Sequence, residues 1–303
     1  MSAARPFPLS LFAVFCLAGG PAAAAPWGAH TYEYARVEGK PLELDLYVSS
    51  DKPAAPPPLV VWIHGGGWTA GRKEDCPVVW LVQHGYAIAS LEYRLAPSAR
   101  FPAQIHDGKG AVRWLRAHAV ERGYDKDRIA AAGHSAGGHL AALLATTGGV
   151  AELEGDVGGN AGESSRVQAA LVAGGPVDFV IENATRVERA LADDSAGPVR
   201  ALLGGAPTEK ADLARLASPV RHVTADDPPI FILHGVQDRV VPVFQAKALE
   251  AAYRAAGATV VLDIVPGEGH AAKPLFADSG RRAKIVEFLD RYLKHVAVDR
   301  EKE

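Results

Sequence analysis

One serine in the sequence has surroundings that could make it a nucleophile. Ser135 lies in Gly133-His134-Ser135-Ala136-Gly137, a G-x-S-x-G pattern. Residues 129–132 before it are apolar, as a buried strand is, and residues 136–146 after it are mostly small and compatible with a helix. A serine hydroxyl is a weak nucleophile at neutral pH and needs an adjacent base. A sharp strand-to-helix turn lifts such a hydroxyl clear of a sheet, and glycines two residues either side leave the turn room to close. The helix start behind it favours negative charge at the reacting oxygen.

The partners follow in the order acid, then histidine. Asp238 comes just after the apolar run 230–233, and His270 comes just after the run 260–265 and Pro266-Gly267-Glu268-Gly269. Each falls past the C-terminal end of its own expected strand, on the face where Ser135 emerges. His270 is therefore the expected base, and Asp238 the carboxylate that fixes its tautomer and stabilises the imidazolium. Upstream, residues 59–63 run into His64-Gly65-Gly66-Gly67-Trp68. Consecutive glycines leave backbone N–H groups unobstructed, so the amides of Gly66, Gly67 and Ala136 are the expected oxyanion hole. Trp68 and His134 are expected to line the substrate pocket.

Other polar residues compete for these roles. Glu268 is an alternative acid, but it stands too close to His270 in sequence to approach the far ring nitrogen easily. His234 is expected to be a hydrogen-bonded support, His64 to hold the glycine loop, and Asp107 to pair at a loop or helix start. The spacing of His134 and His139 is not H-E-x-x-H and no Cys/His cluster exists, so no metal and no cofactor are expected.

Elements that could position these groups are legible as hydrophobic patterns. Residues 59–63, 86–91, 129–132, 167–173, 230–233 and 260–265 are nearly unbroken apolar runs, expected as strands buried on both faces of a mostly parallel sheet. Residues 42–48 alternate with period two, the pattern of an antiparallel strand with one wet face. Amphipathic stretches at 104–120, 244–256 and 282–295 are expected helices, the first with Ile105, Val112, Leu115 and Ala119 on one side. Strands alternating with helices predict a doubly wound α/β sheet, flanked by helices. Residues 181–220 interrupt that alternation and are expected to form a small helical cap at the carboxyl ends of the strands.

Arg5, the apolar stretch 9–18 and the small residues Ala22 to Ala25 occur in the order of a secretory signal peptide, so 1–25 is the expected leader and 26–303 the catalytic domain. The apolar stretch is too short for a stable membrane anchor. Cys16 leaves with the leader, so Cys76 is the one remaining cysteine and is read as an inert thiol, buried or half-buried. The 303 residues are 48% hydrophobic and 22% charged with a net charge of −3, which excludes a disordered chain and gives no basic surface for nucleic acid. A secreted or periplasmic location is expected.

Taken together, His64-Gly65-Gly66-Gly67-Trp68, Glu92-Tyr93-Arg94-Leu95, Phe101-Pro102-Ala103, the 111–116 stretch, Gly133-His134-Ser135-Ala136-Gly137-Gly138-His139-Leu140, Ser218-Pro219, His234-Gly235-x-x-Asp238 and Gly269-His270 resemble the α/β-hydrolase superfamily. Within it the chain is similar to the secreted esterase/lipase group that includes bifunctional feruloyl and acetyl-xylan esterases, related to hormone-sensitive-lipase-like esterases. The resemblance implies a serine carboxylic-ester hydrolase that works through an acyl-enzyme. It also implies short-chain acyl, acetyl or feruloyl esters as substrates, free or on a polysaccharide. One departure is His134, where the hormone-sensitive-lipase-like pattern usually has Asp; it favours the feruloyl/acetyl-xylan-like branch.

Two alternatives remain at this level. An arylformamidase-like amide hydrolase shares the glycine loop and the Ser-Ala-Gly elbow, although the leader argues against it. A hydrolase-fold binding protein without catalysis is opposed by the complete Ser135, Asp238 and His270 set. The leader itself is directly testable. Exported protein is expected to begin at Ala25 or Pro26 on N-terminal sequencing, and an intact Met1 chain retained in the cytosol would contradict it.

Overall fold

Eight strands form a single sheet in the order β1-β2-β4-β3-β5-β6-β7-β8. They are β1 (Ala29–Val37), β2 (Lys40–Tyr47), β3 (Leu59–Ile63), β4 (Ala87–Leu91), β5 (Ile129–His134), β6 (Ala169–Ala173), β7 (Ile230–Gly235) and β8 (Val260–Val265). The computed structural model describes residues 28–50, 54–180 and 197–294. The expected leader and residues 181–196 of the expected cap lie outside the described residues. Strands β1 and β2 pair antiparallel, as do β2 and β4, and every pairing from β4 across to β8 is parallel.

The six unbroken apolar runs become β3 to β8; β3 to β7 are buried throughout as expected, whereas β8, at the edge of the sheet, is only half-buried. Side chains alternate across a strand, so a strand covered on both faces must be apolar at every position. On β3, Leu59, Val61 and Ile63 join one core while Val60 and Trp62 join the other. The first core packs against α1 (Ala103–Arg122), α2 (Ala136–Thr146) and α6 (Phe244–Ala256). The second packs against a 3-10 turn at Val79–His84, α7 (Ala272–Ala277) and α8 (Ser279–Leu289). Three further short helices lie among the described residues: α3 (Ala151–Glu154), α4 (Pro198–Leu203) and α5 (Ala211–Leu216). The last two stand between β6 and β7 in sequence.

Several expectations needed correction. Strand β1 carries no clean hydrophobic period; it is a half-exposed edge strand held by its pairing with β2. The wet face expected on β2 is largely covered. Asp45 is only 5% exposed, because the Thr31 hydroxyl donates to it at 2.6 Å and the Lys73 ammonium stands 3.7 Å away. Helix α8 starts earlier than expected, capped by Asp278, whose Oδ1 accepts the Arg281 amide at 2.8 Å, and it loosens into a π-helical turn at Asp290–Lys294.

Helix α1 differs most. Its expected apolar side is present, but Asp107, Lys109, Arg113 and Arg116 are buried as well. The connection between α2 and β6 supplies partners for the three cations, while Asp107 pairs with Arg94 ahead of the helix. The Lys109 ammonium donates to Glu154 at 2.7 Å and to the Thr147 carbonyl at 2.6 Å. Arg113 reaches the same carboxylate at 3.1 Å, and Arg116 donates to the carbonyls of Ser164 and Arg166. A charge buried in this way is tolerable only while its counter-charge and hydrogen bonds stay in place.

Removing that counter-charge should therefore be severe. Glu154→Ala is expected to lower stability by about 3–5 kcal/mol, whereas replacing the whole group together, Lys109→Met and Arg113→Met with Glu154→Leu, should cost much less. Urea denaturation of both variants gives the comparison, and equal losses would show that the group is not the fastening.

Candidate active site

Strand β5 ends at His134 and α2 begins at Ala136, so Ser135 alone makes the turn between them. Its φ is 57° and its ψ −122°, a conformation that an L-residue adopts only when its surroundings over-determine it. The surroundings do so by proximity. A Cβ on Gly133 would lie 2.2 Å from the Gly137 carbonyl oxygen, and a Cβ on Gly137 would lie 2.0 Å from that of Ile63. The turn closes because those atoms are missing. The Ser135 amide donates to Ala173 O at 2.9 Å, and Ser135 O accepts the His139 amide at 3.0 Å.

The Ser135 hydroxyl stands 2.8 Å from His270 Nε2, and His270 Nδ1 stands 2.7 Å from Asp238 Oδ2. With a carboxylate as acceptor, Nδ1 carries the proton and Nε2 is free to receive one from serine. Asp238 is held in turn: its Oδ1 accepts the amides of Val240 at 2.9 Å and Val241 at 2.8 Å. Burial opposes ionisation of Asp238, but hydrogen bonds from His234, His270 and the Val241 amide outweigh it and keep the carboxyl well below the usual range. Such an arrangement can draw a proton from a hydroxyl and stabilise the imidazolium that results.

The glycine loop lies against the serine. A Cβ on Gly65 would stand 3.2 Å from Ser135 Cβ. Gly66 and Gly67 have φ of 107° and 59°, left-handed conformations that favour glycine. The Gly66 carbonyl turns into its own loop, accepting the amides of Thr69 at 3.1 Å and Ala70 at 3.0 Å. The Ala136 amide belongs to the first turn of α2, where a helix leaves its N–H groups without internal acceptors. His64 holds the loop from below, Nδ1 donating to Gly65 O at 2.7 Å while its ring stacks on Tyr93.

Two cavities flank the loop. A pocket of about 120 Å³ is lined by Gly67, Trp68, Ser135, Phe179, Pro198 and Val241 among others. A larger one of about 600 Å³ lies between the loop and α7, bordered by Gly65, His134, Cys76, Lys273 and Arg282. Trp68 thus lines the small pocket, while His134 lines the large one. The His134 ring also donates through Nε2 to the His270 carbonyl at 2.6 Å, supporting the backbone that delivers the base.

Comparison with known proteins identifies the family. The BD-FAE family profile matches residues 44–253. The chain belongs to the BD-FAE family. Esterase LipC of Mycobacterium tuberculosis is 32% identical over 257 residues, 84% of this chain and 62% of its own length. Probable carboxylic ester hydrolase LipM of the same organism is 37% identical over 194 residues, 63% of this chain and 43% of its own. The chain thus spans about half the length of the curated relatives it matches. Among solved structures, a truncated carbohydrate esterase from gut microbiota superposes with a TM-score of 0.77 at 30% identity, covering 91% of this chain and 100% of that one. A bifunctional GH43-CE protein of Bacteroides eggerthii gives 0.75 at 34%, covering 87% of this chain and 35% of that one. These neighbours place the BD-FAE chain in the α/β-hydrolase fold.

The competing residues of this BD-FAE protein are occupied elsewhere. Glu268 pairs with Arg281 at 3.3 Å. Asp107 pairs with Arg94 at 2.7 Å, and His234 donates to Val241 O at 2.8 Å beside Asp238. Burial pushes the Cys76 thiol up to about 12, so it is no thiolate at neutral pH. Among the described residues no set of three or more His, Cys, Asp or Glu gathers to hold a metal, and no helix is long and apolar enough to cross a membrane.

Sequence reasoning missed two supports. Gln245 on α6 is buried; its Oε1 accepts the amides of Val177 at 2.7 Å and Asp178 at 2.8 Å, fixing one wall of the small pocket. His139 is fully buried one turn beyond Ser135. Its spacing of four from the serine was the available signal, since that spacing shares a helix face.

Acid should unfold this protein early. Burial lowers the pKa of both His134 and His139 to about 4, with the neighbouring His270 adding to the effect at His134. An unfolded histidine titrates near about 6.5. Between those values the unfolded chain binds more protons than the folded one, so stability declines as pH falls through that window. Each histidine removes about 3 kcal/mol by pH 4. His139→Gln is expected to flatten the fall in urea midpoint between pH 7 and pH 4.5, and curves parallel to wild type would contradict this.

Proposed function

We propose that this protein is a secreted serine carboxylic-ester hydrolase. The single observation that carries the reading is the unbroken hydrogen-bonded chain from Asp238 through His270 to Ser135, with the serine on a strained turn. Ser135 Oγ attacks the ester carbonyl carbon as its proton passes to His270 Nε2, and Asp238 stabilises the imidazolium. The carbonyl oxygen, now an anion, accepts from the amides of Gly66, Gly67 and Ala136. Collapse breaks the bond to the alcohol oxygen, which takes the proton from His270, and the acyl group stays on Ser135. His270 then deprotonates a water that attacks the acyl-enzyme and releases the acid.

The two cavities suggest how the ester lies. The small pocket beside Ser135 suits a short acyl group such as acetyl. His270 must protonate the leaving oxygen, and the chain just after it, at Ala272 and Lys273, borders the large cavity. The alcohol half therefore belongs on that side, where there is room for a bulky partner such as a sugar unit. Relatives named as carbohydrate esterases support acetylated polysaccharide as a natural substrate, and the expected leader would deliver the enzyme to it.

Purified protein lacking residues 1–25 tests the reading. It is expected to be labelled by a fluorophosphonate, and to hydrolyse acetyl esters and acetylated xylan faster than octanoyl or feruloyl esters and faster than N-formylkynurenine. Ser135→Ala should abolish labelling and lower kcat by a factor on the order of 10⁶, with Asp238→Asn losing roughly 10⁴. An unlabelled wild type would refute the hydrolase assignment. A dead Glu268→Gln beside an active Asp238→Asn would refute the acid assignment alone.

A further inference from the structure

A loop made of three glycines has no side chains with which to anchor itself, yet an oxyanion hole works only if its donors are already in place when charge develops. The next residue, Trp68, supplies an anchor. It has a φ of 58°, a left-handed conformation unusual for a bulky residue and one that persists only where contacts enforce it. Its carbonyl accepts the Ala96 amide at 2.8 Å. Its indole N–H donates to His139 Nδ1 at 3.1 Å, and the ring stands edge-on to His139, with centroids 5.3 Å apart.

His139 is committed on both sides. Its other ring nitrogen, Nε2, donates to the Ala217 carbonyl at 2.7 Å, which fixes the tautomer that leaves Nδ1 as an acceptor. Ala217 follows α5, and the neighbouring Ser218 hydroxyl accepts the Phe179 amide at 2.9 Å in the wall of the small pocket. Phe179 in turn packs edge-on against both His139 and Trp68. One imidazole, carried by the helix that presents Ser135, thus ties together the glycine loop, the pocket wall and the cap side of the sheet. Burial holds that imidazole neutral, so it remains an acceptor at neutral pH.

We propose that His139 is a positioning residue for the oxyanion hole, setting the Gly66 and Gly67 amides against Ser135 through its hydrogen bond to Trp68. This rests on the ester-hydrolase reading above. It acts through Trp68 and touches no reacting atom, so its loss should weaken transition-state stabilisation more than ground-state binding.

His139→Phe keeps an aromatic ring and removes both hydrogen bonds, while His139→Gln keeps an acceptor and a donor. Three readouts apply: p-nitrophenyl acetate kinetics, thermal melting, and inhibition by an aryl trifluoromethyl ketone. That ketone adds Ser135 Oγ to its carbonyl carbon, passes the serine proton to His270 and leaves its oxygen as an anion in the hole. His139→Phe is expected to lower kcat roughly 10- to 100-fold and weaken the ketone by a similar factor, with KM changed less than about threefold. His139→Gln should recover most of that loss. Should His139→Phe fail to fold, replacing Trp68 by its benzothiophene analogue, which keeps the shape of the bicyclic ring and removes the N–H donor, should give the same split. A folded variant with kcat and ketone affinity both within about twofold of wild type would overturn the proposal, as would a fall in kcat with the ketone unaffected. A wild type inert to fluorophosphonate and to esters would instead overturn the hydrolase reading on which it rests.

Discussion

The structure depends on one steric constraint, the contact of β3, β5 and α2 at Ser135. Helix α2 starts so near β3 that the position of a Gly137 Cβ would fall 2.0 Å from the Ile63 carbonyl oxygen. That proximity forces the turn into a single residue and gives Ser135 its unusual backbone angles. It also brings the end of β3, and with it the glycine loop, within van der Waals reach of the serine side chain. Ser135 and the glycine loop are thus neighbours because two strands and a helix share a space that only glycine can fill.

Charge is arranged around that contact with comparable economy. Asp238 is buried, yet it stays ionised because His270, His234 and two backbone amides converge on it. The imidazoles of His134 and His139 are buried and neutral, each donating to a backbone carbonyl. They stiffen the loops around Ser135 without adding positive charge beside His270. Positive charge is buried away from the site, on α1, where Lys109 and Arg113 share Glu154 and pin the chain between α2 and β6.

Much of this was legible beforehand, for reasons that differ by element. Strands β3 to β7 announce themselves because a strand covered on both faces must be apolar throughout, and β8 keeps the apolar run although its edge position leaves it half-buried. Ser135, Asp238 and His270 were legible because each follows such a strand, and Gly133 and Gly137 because the turn excludes larger residues. Strand β1 was not, since an edge strand half in water leaves no hydrophobic period. The burial of Asp45, Lys109 and Arg113 was hidden too, because it depends on partners far along the chain. His139 and Gln245 escaped for a related reason: most of the groups they bond are backbone amides and carbonyls, which carry no residue identity.

The position of β8 has a consequence for how the protein fails. It is the last strand, it pairs with β7 alone, and most of its residues are only half-buried. Segments with few buried contacts open at lower cost than the body of a fold. His270 is therefore delivered by one of the sheet's weaker margins, while Ser135 stands at its centre. Fraying at that margin would separate His270 from Ser135 with the remaining strands still paired. In this architecture the meeting of His270 with Ser135 can be lost before the fold is.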